Sequence, residues 1–86
     1  PESIEDQTKN ALYNMKSIVE ASGSRLDRCL KVTIFLADMD DFPVVNKIYE
    51  RFFPENPPAR ECVEVSVLPK NGKIEISAVA YVRDDI

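Results

Sequence analysis

The 86 residues predict an α+β fold, a two-layer sandwich of two helices on a three-stranded sheet in the order α-β-α-β-β. Three observations carry this expectation. Apolar side chains recur at helical spacing in two segments, 4–21 and 42–53. Between them lies a run, 29–36, that is apolar on both faces. Near the end, two alternating runs flank Lys70-Asn71-Gly72-Lys73.

The first helix has a start, a stripe and a stop. Ser3 can cap, Asp6 sits three residues on, and acidic residues suit the positive end of a helix. Ile4, Thr8, Ala11, Leu12, Met15, Ile18 and Val19 then form one stripe over about Ile4 to Ala21. Gly23 is the natural residue for the left-handed position just past the helix end.

After a turn over 24–28, Leu30, Val32, Ile34 and Leu36 alternate with Cys29, Lys31, Thr33 and Phe35. Both sets are largely apolar, which predicts a central strand with its even-numbered residues on one face. Asp38-Met39-Asp40-Asp41 offers a second helix cap. Phe42, Val45, Ile48, Tyr49, Phe52 and Phe53 follow at helical spacing, and Pro43 is tolerated because it falls in the first turn. Pro54, Pro57 and Pro58 end that helix and stiffen the loop after it.

The last third predicts a hairpin. Strands over Arg60–Leu68 and Ile74–Val82 would be joined at Asn71-Gly72, the strongest short hairpin signal. In that register Val67 faces Ile76, Val65 faces Ala78 and Val63 faces Ala80, giving one wholly apolar face for the helices to cover. The other face would carry Arg60, Cys62, Glu64 and Ser66 against Glu75, Ser77, Val79 and Tyr81. It is only partly polar, so further strands, another subunit or both are expected to cover it. The whole chain, 1–86, reads as a single domain.

Composition removes several kinds of chemistry. With no histidine, the chain holds neither a Ser-His-Asp nor a Cys-His nucleophilic site, nor a histidine-bearing metal site. Cys29 and Cys62 are too few for a disulfide framework or a structural zinc. The net charge is −4, and the basic residues are dispersed, which disfavours nucleic acid. No apolar stretch is long enough to span a membrane. The start, Pro1-Glu2-Ser3, is acidic, unlike a signal or transit peptide. A soluble protein in a reducing compartment is expected.

Three residues on the mixed face are candidates for chemistry. Arg60, just after Pro57-Pro58-Ala59, can fork onto a carboxylate, or it can be a solvated strand-end arginine. Cys62 can offer a thiol, or it can be a small buried hydrophobe. Glu75 can hold a water or pass a proton, or it can be a solvated carboxylate. In the hairpin register Arg60 and Glu75 stand about 25 Å apart, so a site using both would have to lie between subunits.

The segments 31–42, Val45-Asn46 with Tyr49, Phe52 and Phe53, Pro58-Ala59-Arg60-Glu61-Cys62-Val63-Glu64-Val65, Leu68-Pro69-Lys70 and Ile74-Glu75-Ile76 together resemble the Rid family. That family is also called YjgF or endoribonuclease L-PSP, and its members are reactive-intermediate imine deaminases. The resemblance runs from the first helix to Tyr81, and Pro-Ala-Arg-x-Cys-Val is its most specific part. It implies a chorismate-mutase-like fold, a homotrimer with clefts between subunits, and a cytoplasmic or mitochondrial location. The implied reaction is hydrolysis of 2-aminoacrylate-type enamines and imines to 2-keto acids and ammonia, without a cofactor. Arg60 would then bind the substrate carboxylate, Cys62 would line the pocket, and Glu75 of the adjacent subunit would hold or activate the water.

Two departures qualify the resemblance. Glu61 follows Arg60 where the family usually has a small residue; alternation should turn it to the opposite face. The chain also starts at the family's first helix, without the strand pair that normally precedes it. Two other functions stay open at this level: an RNA-cleaving translation inhibitor, and a non-catalytic binder of small carboxylates or proteins.

Overall fold

The computed structural model describes residues 3–55 and 57–82. The acidic start Pro1-Glu2, and Asn56 of the proline loop, lie outside them. Helix α1 spans Ile4–Ala21, strand β1 Cys29–Leu36, helix α2 Phe42–Phe52, strand β2 Ala59–Glu64 and strand β3 Ile74–Ala80. Short 3-10 turns at Leu26–Arg28, Met39–Asp41 and Pro69–Asn71 join them. The order is the expected one, and both helices lie where the periodicity put them.

The local signals of α1 act as anticipated, whereas at α2 the Asp41 side chain makes no cap and Asp38 accepts from the Asp40 N–H at 2.9 Å in the preceding 3-10 turn. The Asp6 N–H donates to the Ser3 hydroxyl at 3.1 Å, which caps α1. Gly23 takes φ +89°, and its N–H donates to the Glu20 carbonyl at 3.0 Å. Of the α1 stripe, Thr8, Leu12, Met15 and Val19 are buried, whereas Ile18 is exposed. Buried Thr8 donates its hydroxyl to the Ile4 carbonyl at 2.6 Å, so its polar atom is satisfied inside the helix. Val45, Ile48 and Tyr49 of α2, with Phe53 just beyond it, pack against Val32, Ile34 and Leu36 of β1. Those three β1 side chains are fully buried, each contributing about 1.5–3 kcal/mol.

The sheet corrects the expected pairing. Its order is β2-β1-β3, so β2 and β3 form no hairpin. β1 lies between them, parallel to β2 and antiparallel to β3. The segment after β2 crosses the end of β1: the Val65 N–H donates to the Leu36 carbonyl (2.9 Å) and the Ala37 N–H to the Lys73 carbonyl (3.1 Å). Positive φ falls at Lys70 and Asn71, 58° and 56°, while Gly72 is extended at φ −63°, so the turn is not the expected one centred on Asn71-Gly72, and it serves this crossing. Burial is the physical reason. β1 is the most apolar strand, and the centre is the position that covers both of its edges.

Both outer strands are shorter than expected, and the faces of β2 are reversed. Arg60 and Cys62 pair with Val32 and Ile34, whose side chains face the helices, so they face the helices too. Val63 turns outward instead. β3 keeps its expected faces, with Ile74, Ile76 and Ala78 packed on the core and Glu75, Ser77 and Val79 exposed. At the start of β1 the register shifts between Cys29 and Lys31, burying Cys29 and leaving Leu30 57% exposed, the reverse of simple alternation. No helix among the described residues is long and apolar enough to cross a membrane.

Candidate functional site

Arg60 enters on β2 directly after the proline loop and reaches under the N-terminal half of α2. Its guanidinium centre lies 5.3 Å from the Phe42 ring centroid and 5.0 Å from that of Tyr49. Its Nη1 donates to Asn46 Oδ1, and the Asn46 side-chain amide in turn donates to Glu50 Oε1 at 2.9 Å. Two aromatic faces and one amide therefore fix the guanidinium, whose remaining donors are available to a bidentate acceptor. Around it opens a cavity of about 390 Å³, lined by Asn46, Tyr49, Glu50, Phe53 and the Pro57-Pro58 wall. That is large enough for a small organic acid.

Cys62 follows on the same face, half-buried. Its sulfur lies 4.0 Å from that of Met39. Met39 is held there because its N–H donates to Glu64 Oε1 at 2.7 Å, so the third inward residue of β2 anchors the turn over the second. Burial pushes the Cys62 thiol up, against the opposing pull of the Arg60 charge. At neutral pH this sulfur is a thiol rather than a nucleophilic thiolate. Cys29, in the core, is raised by burial and by the nearby Asp27.

Glu61 points away from this group, as alternation predicts. Its carboxylate bonds Lys31 Nζ at 2.9 Å on the open face of the sheet. The hydrogen bond from Lys31, more than its charge alone, lowers the Glu61 pKa.

Glu75 is not part of the Arg60 group. It lies on β3 opposite Phe35, while Arg60 lies on β2 opposite Val32. With β1 between them, the two backbones stand about 14 Å apart, not the larger span a hairpin would give. Their side chains occupy opposite faces of the sheet, contrary to the expected single mixed face. Within one copy, the structure brings together Arg60 and Cys62 and leaves Glu75 apart.

Sequence reasoning gave no role to Asn46, Phe42 or Tyr49 in fixing Arg60. The only signal was Asn46 itself, an amide at a position flanking the apolar stripe of α2. The Tyr49 hydroxyl is buried and is bonded to no other described residue; burial, first of all, raises its pKa, with Arg60 opposing. Among the described residues no cluster of three or more Cys, Asp or Glu side chains could hold a metal ion.

Comparison with known proteins then gives a consistent picture. A family model described as Endoribonuclease L-PSP matches residues 1–82. A RutC family protein of Pyrococcus horikoshii is 51% identical over 78 residues, covering 91% of this chain and 62% of the relative. Reactive Intermediate Deaminase A, chloroplastic, of Arabidopsis thaliana is 49% identical, covering 92% of this chain and 42% of its own. The 2-iminobutanoate/2-iminopropanoate deaminase of Salmonella typhimurium is 47% identical, covering 95% and 66%. Among solved structures, a yeast protein superposes with a TM-score of 0.93 at 42% identity, covering 96% of this chain and 66% of that one. Escherichia coli TdcF with bound serine gives 0.90 at 40% identity, covering 98% and 68%. The chain thus spans less than two thirds of the length of the first two relatives.

Proposed function

The chain belongs to the endoribonuclease L-PSP family, also called the Rid family, and on that premise we propose that it acts as an imine deaminase. It would hydrolyse 2-aminoacrylate-type enamines and imines to 2-keto acids and ammonia. The observation that carries this reading is the fixed guanidinium of Arg60, facing a small cavity with donors to spare. A relative bearing the deaminase name at 47% identity, and a solved relative holding serine, a small amino acid, support it.

The chemistry asks little of the protein. An enamine tautomerises to its imine, water adds to the imine carbon, and the carbinolamine expels ammonia to leave a keto group. Arg60 would grip the substrate carboxylate in a fork and so hold the imine carbon at a set distance from the cavity wall. Cys62, as a thiol, would line the cavity beside it. Glu75 would hold the attacking water. Because Glu75 lies on the opposite sheet face from Arg60, a site using both is completed by a second copy of the chain, in keeping with a homotrimer. An RNA-cleaving role draws no support from a net charge of −4 or from a site with a single guanidinium.

The test generates 2-aminoacrylate with a serine dehydratase and follows keto-acid release with and without the protein. Acceleration is expected, and Arg60→Ala should lower kcat/KM roughly 30- to 160-fold, the equivalent of about 2–3 kcal/mol of charged hydrogen bonding. No acceleration, or acceleration that survives the substitution, would overturn the proposal. Stabilisation by a 2-keto acid without turnover would point to the non-catalytic binder instead.

A further inference from the structure

The other face of α2 borders a further cavity that this reaction does not use. It lies between the outer faces of α1 and α2 and measures about 290 Å³. Its floor is apolar, formed by Leu26 and Ile48, and one wall is the edge-to-face pair of Tyr13 and Phe52, with ring centroids 5.0 Å apart. Lys9, Lys16 and Arg51 surround that wall. A neighbouring cavity of about 270 Å³ shares Lys9, Ile48 and Arg51 with the first and adds Lys47, with Glu5 at its rim.

The charge arrangement here runs against the rest of the chain. Four cations gather on one groove of a protein whose net charge is −4. Among the described residues none of the four is in an ion pair, although Glu5 and Glu20 stand four positions from Lys9 and Lys16. Lys47 and Arg51 are themselves four apart on α2, a like-charge spacing that costs a helix a few tenths of a kcal/mol. On α1, Lys9 and Lys16 are about 10 Å apart along the axis, with Tyr13, 58% exposed, between them. The groove thus has an aromatic, apolar end and a cationic end that meet at Lys9 and Arg51.

We propose that this groove binds a nucleoside polyphosphate, with the base against Tyr13 and Phe52 and the phosphates on Lys9, Lys47 and Arg51. The apolar end gives a planar ring a surface to stack on, and the cationic end supplies several donors to a chain of phosphate oxygens. The two neighbouring cavities, which share Lys9, Ile48 and Arg51, are of a size for a small molecule. Glu5 disfavours a phosphate at the far rim and so sets the limit of the anionic end.

Equilibrium dialysis of the protein against adenosine triphosphate, inorganic tripolyphosphate and adenosine tests this. Adenosine triphosphate is expected to bind, more weakly as salt rises. The double substitution Lys47→Ala with Arg51→Ala should weaken it about tenfold or more. Tyr13→Ala should weaken adenosine triphosphate about fivefold or more while leaving tripolyphosphate unchanged. Arg51→Lys, which keeps the charge, should retain most of the binding and guards against a misfolded variant. Imine hydrolysis should be unchanged in all of these variants, so the two sites fail or stand separately. No binding of adenosine triphosphate at millimolar concentration, or binding indifferent to the double substitution, would overturn the proposal. Equal loss of tripolyphosphate binding in Tyr13→Ala would overturn the assignment of the base.

Discussion

Arg60 is held by two kinds of contact, and each can be removed separately. Asn46→Ala deletes the hydrogen bond but leaves the rings of Phe42 and Tyr49 beneath the guanidinium. If Asn46 positions the arginine, KM for the imine should rise about three- to tenfold while kcat stays near the parent value, as expected for about 1 kcal/mol of lost orientation. A fall in kcat at unchanged KM would refute a positioning role. Tyr49 illustrates the opposite balance. Its hydroxyl, on a side chain only 3% exposed, is buried with no bonded partner among the described residues, so Tyr49→Phe should raise stability by about 1–2 kcal/mol. A higher urea midpoint with an unchanged m-value is the expected reading. For Cys62, burial places the thiol above the ordinary cysteine range. Alkylation by iodoacetamide should therefore be slow at neutral pH and climb as pH rises past that range. Arg60→Ala removes the one influence that lowers this pKa, so the rise should move to still higher pH. Rapid labelling at neutral pH would show a thiolate and contradict the raised pKa.

At the scale of elements, the helices follow from short-range physics. The stop of α1 depends on Gly23 at φ +89°, where a Cβ would meet nothing closer than 3.7 Å. Gly23→Ala should therefore cost about 1–2 kcal/mol through backbone strain alone, measured by urea unfolding. A variant as stable as the parent would show that the helix end does not need the left-handed residue. Helix spacing, the Ser3 cap and this glycine were legible because each is settled within a few residues along the chain, whereas Asp38 caps the 3-10 turn before α2 rather than α2 itself. Strand pairing is not local. A turn at Asn71-Gly72 was legible too, although its positive φ angles fall one residue earlier, at Lys70 and Asn71, and such a turn can close a hairpin or carry the chain over an intervening strand. What decides is the burial of Val32, Ile34 and Leu36, which places β1 in the centre. That choice sets which face of β2 looks inward, and local alternation alone put Arg60 and Cys62 on the wrong side. Asn46 escaped notice for a related reason: its role exists only once α2 lies beside the start of β2.

At the scale of the molecule, no helix among the described residues covers one face of the sheet. Register places Phe35, Val63 and Glu75 in one row, Thr33, Glu61 and Ser77 in the next, and Val79 beside Lys31. Val79 is 58% exposed. Arg60 faces the helix layer at one edge strand, while Glu75 faces out from the other. A homotrimer, as the family resemblance implies, would let the Glu75 side of one copy meet the Arg60 edge of the next, which no single copy can do. This arrangement makes a prediction that does not depend on seeing the interface. Arg60→Ala and Glu75→Ala variants, each impaired alone, are unfolded together in urea and refolded as a mixture. Sites between copies would draw an intact Arg60 from one chain and an intact Glu75 from another, and random assembly restores about a quarter of the parent's activity. Variants refolded separately and then mixed should recover less, to the extent that assembled copies exchange slowly. If co-refolded trimers form and remain impaired, Arg60 and Glu75 do not share a site across copies, and the water must be held by a residue on the Arg60 side of the sheet.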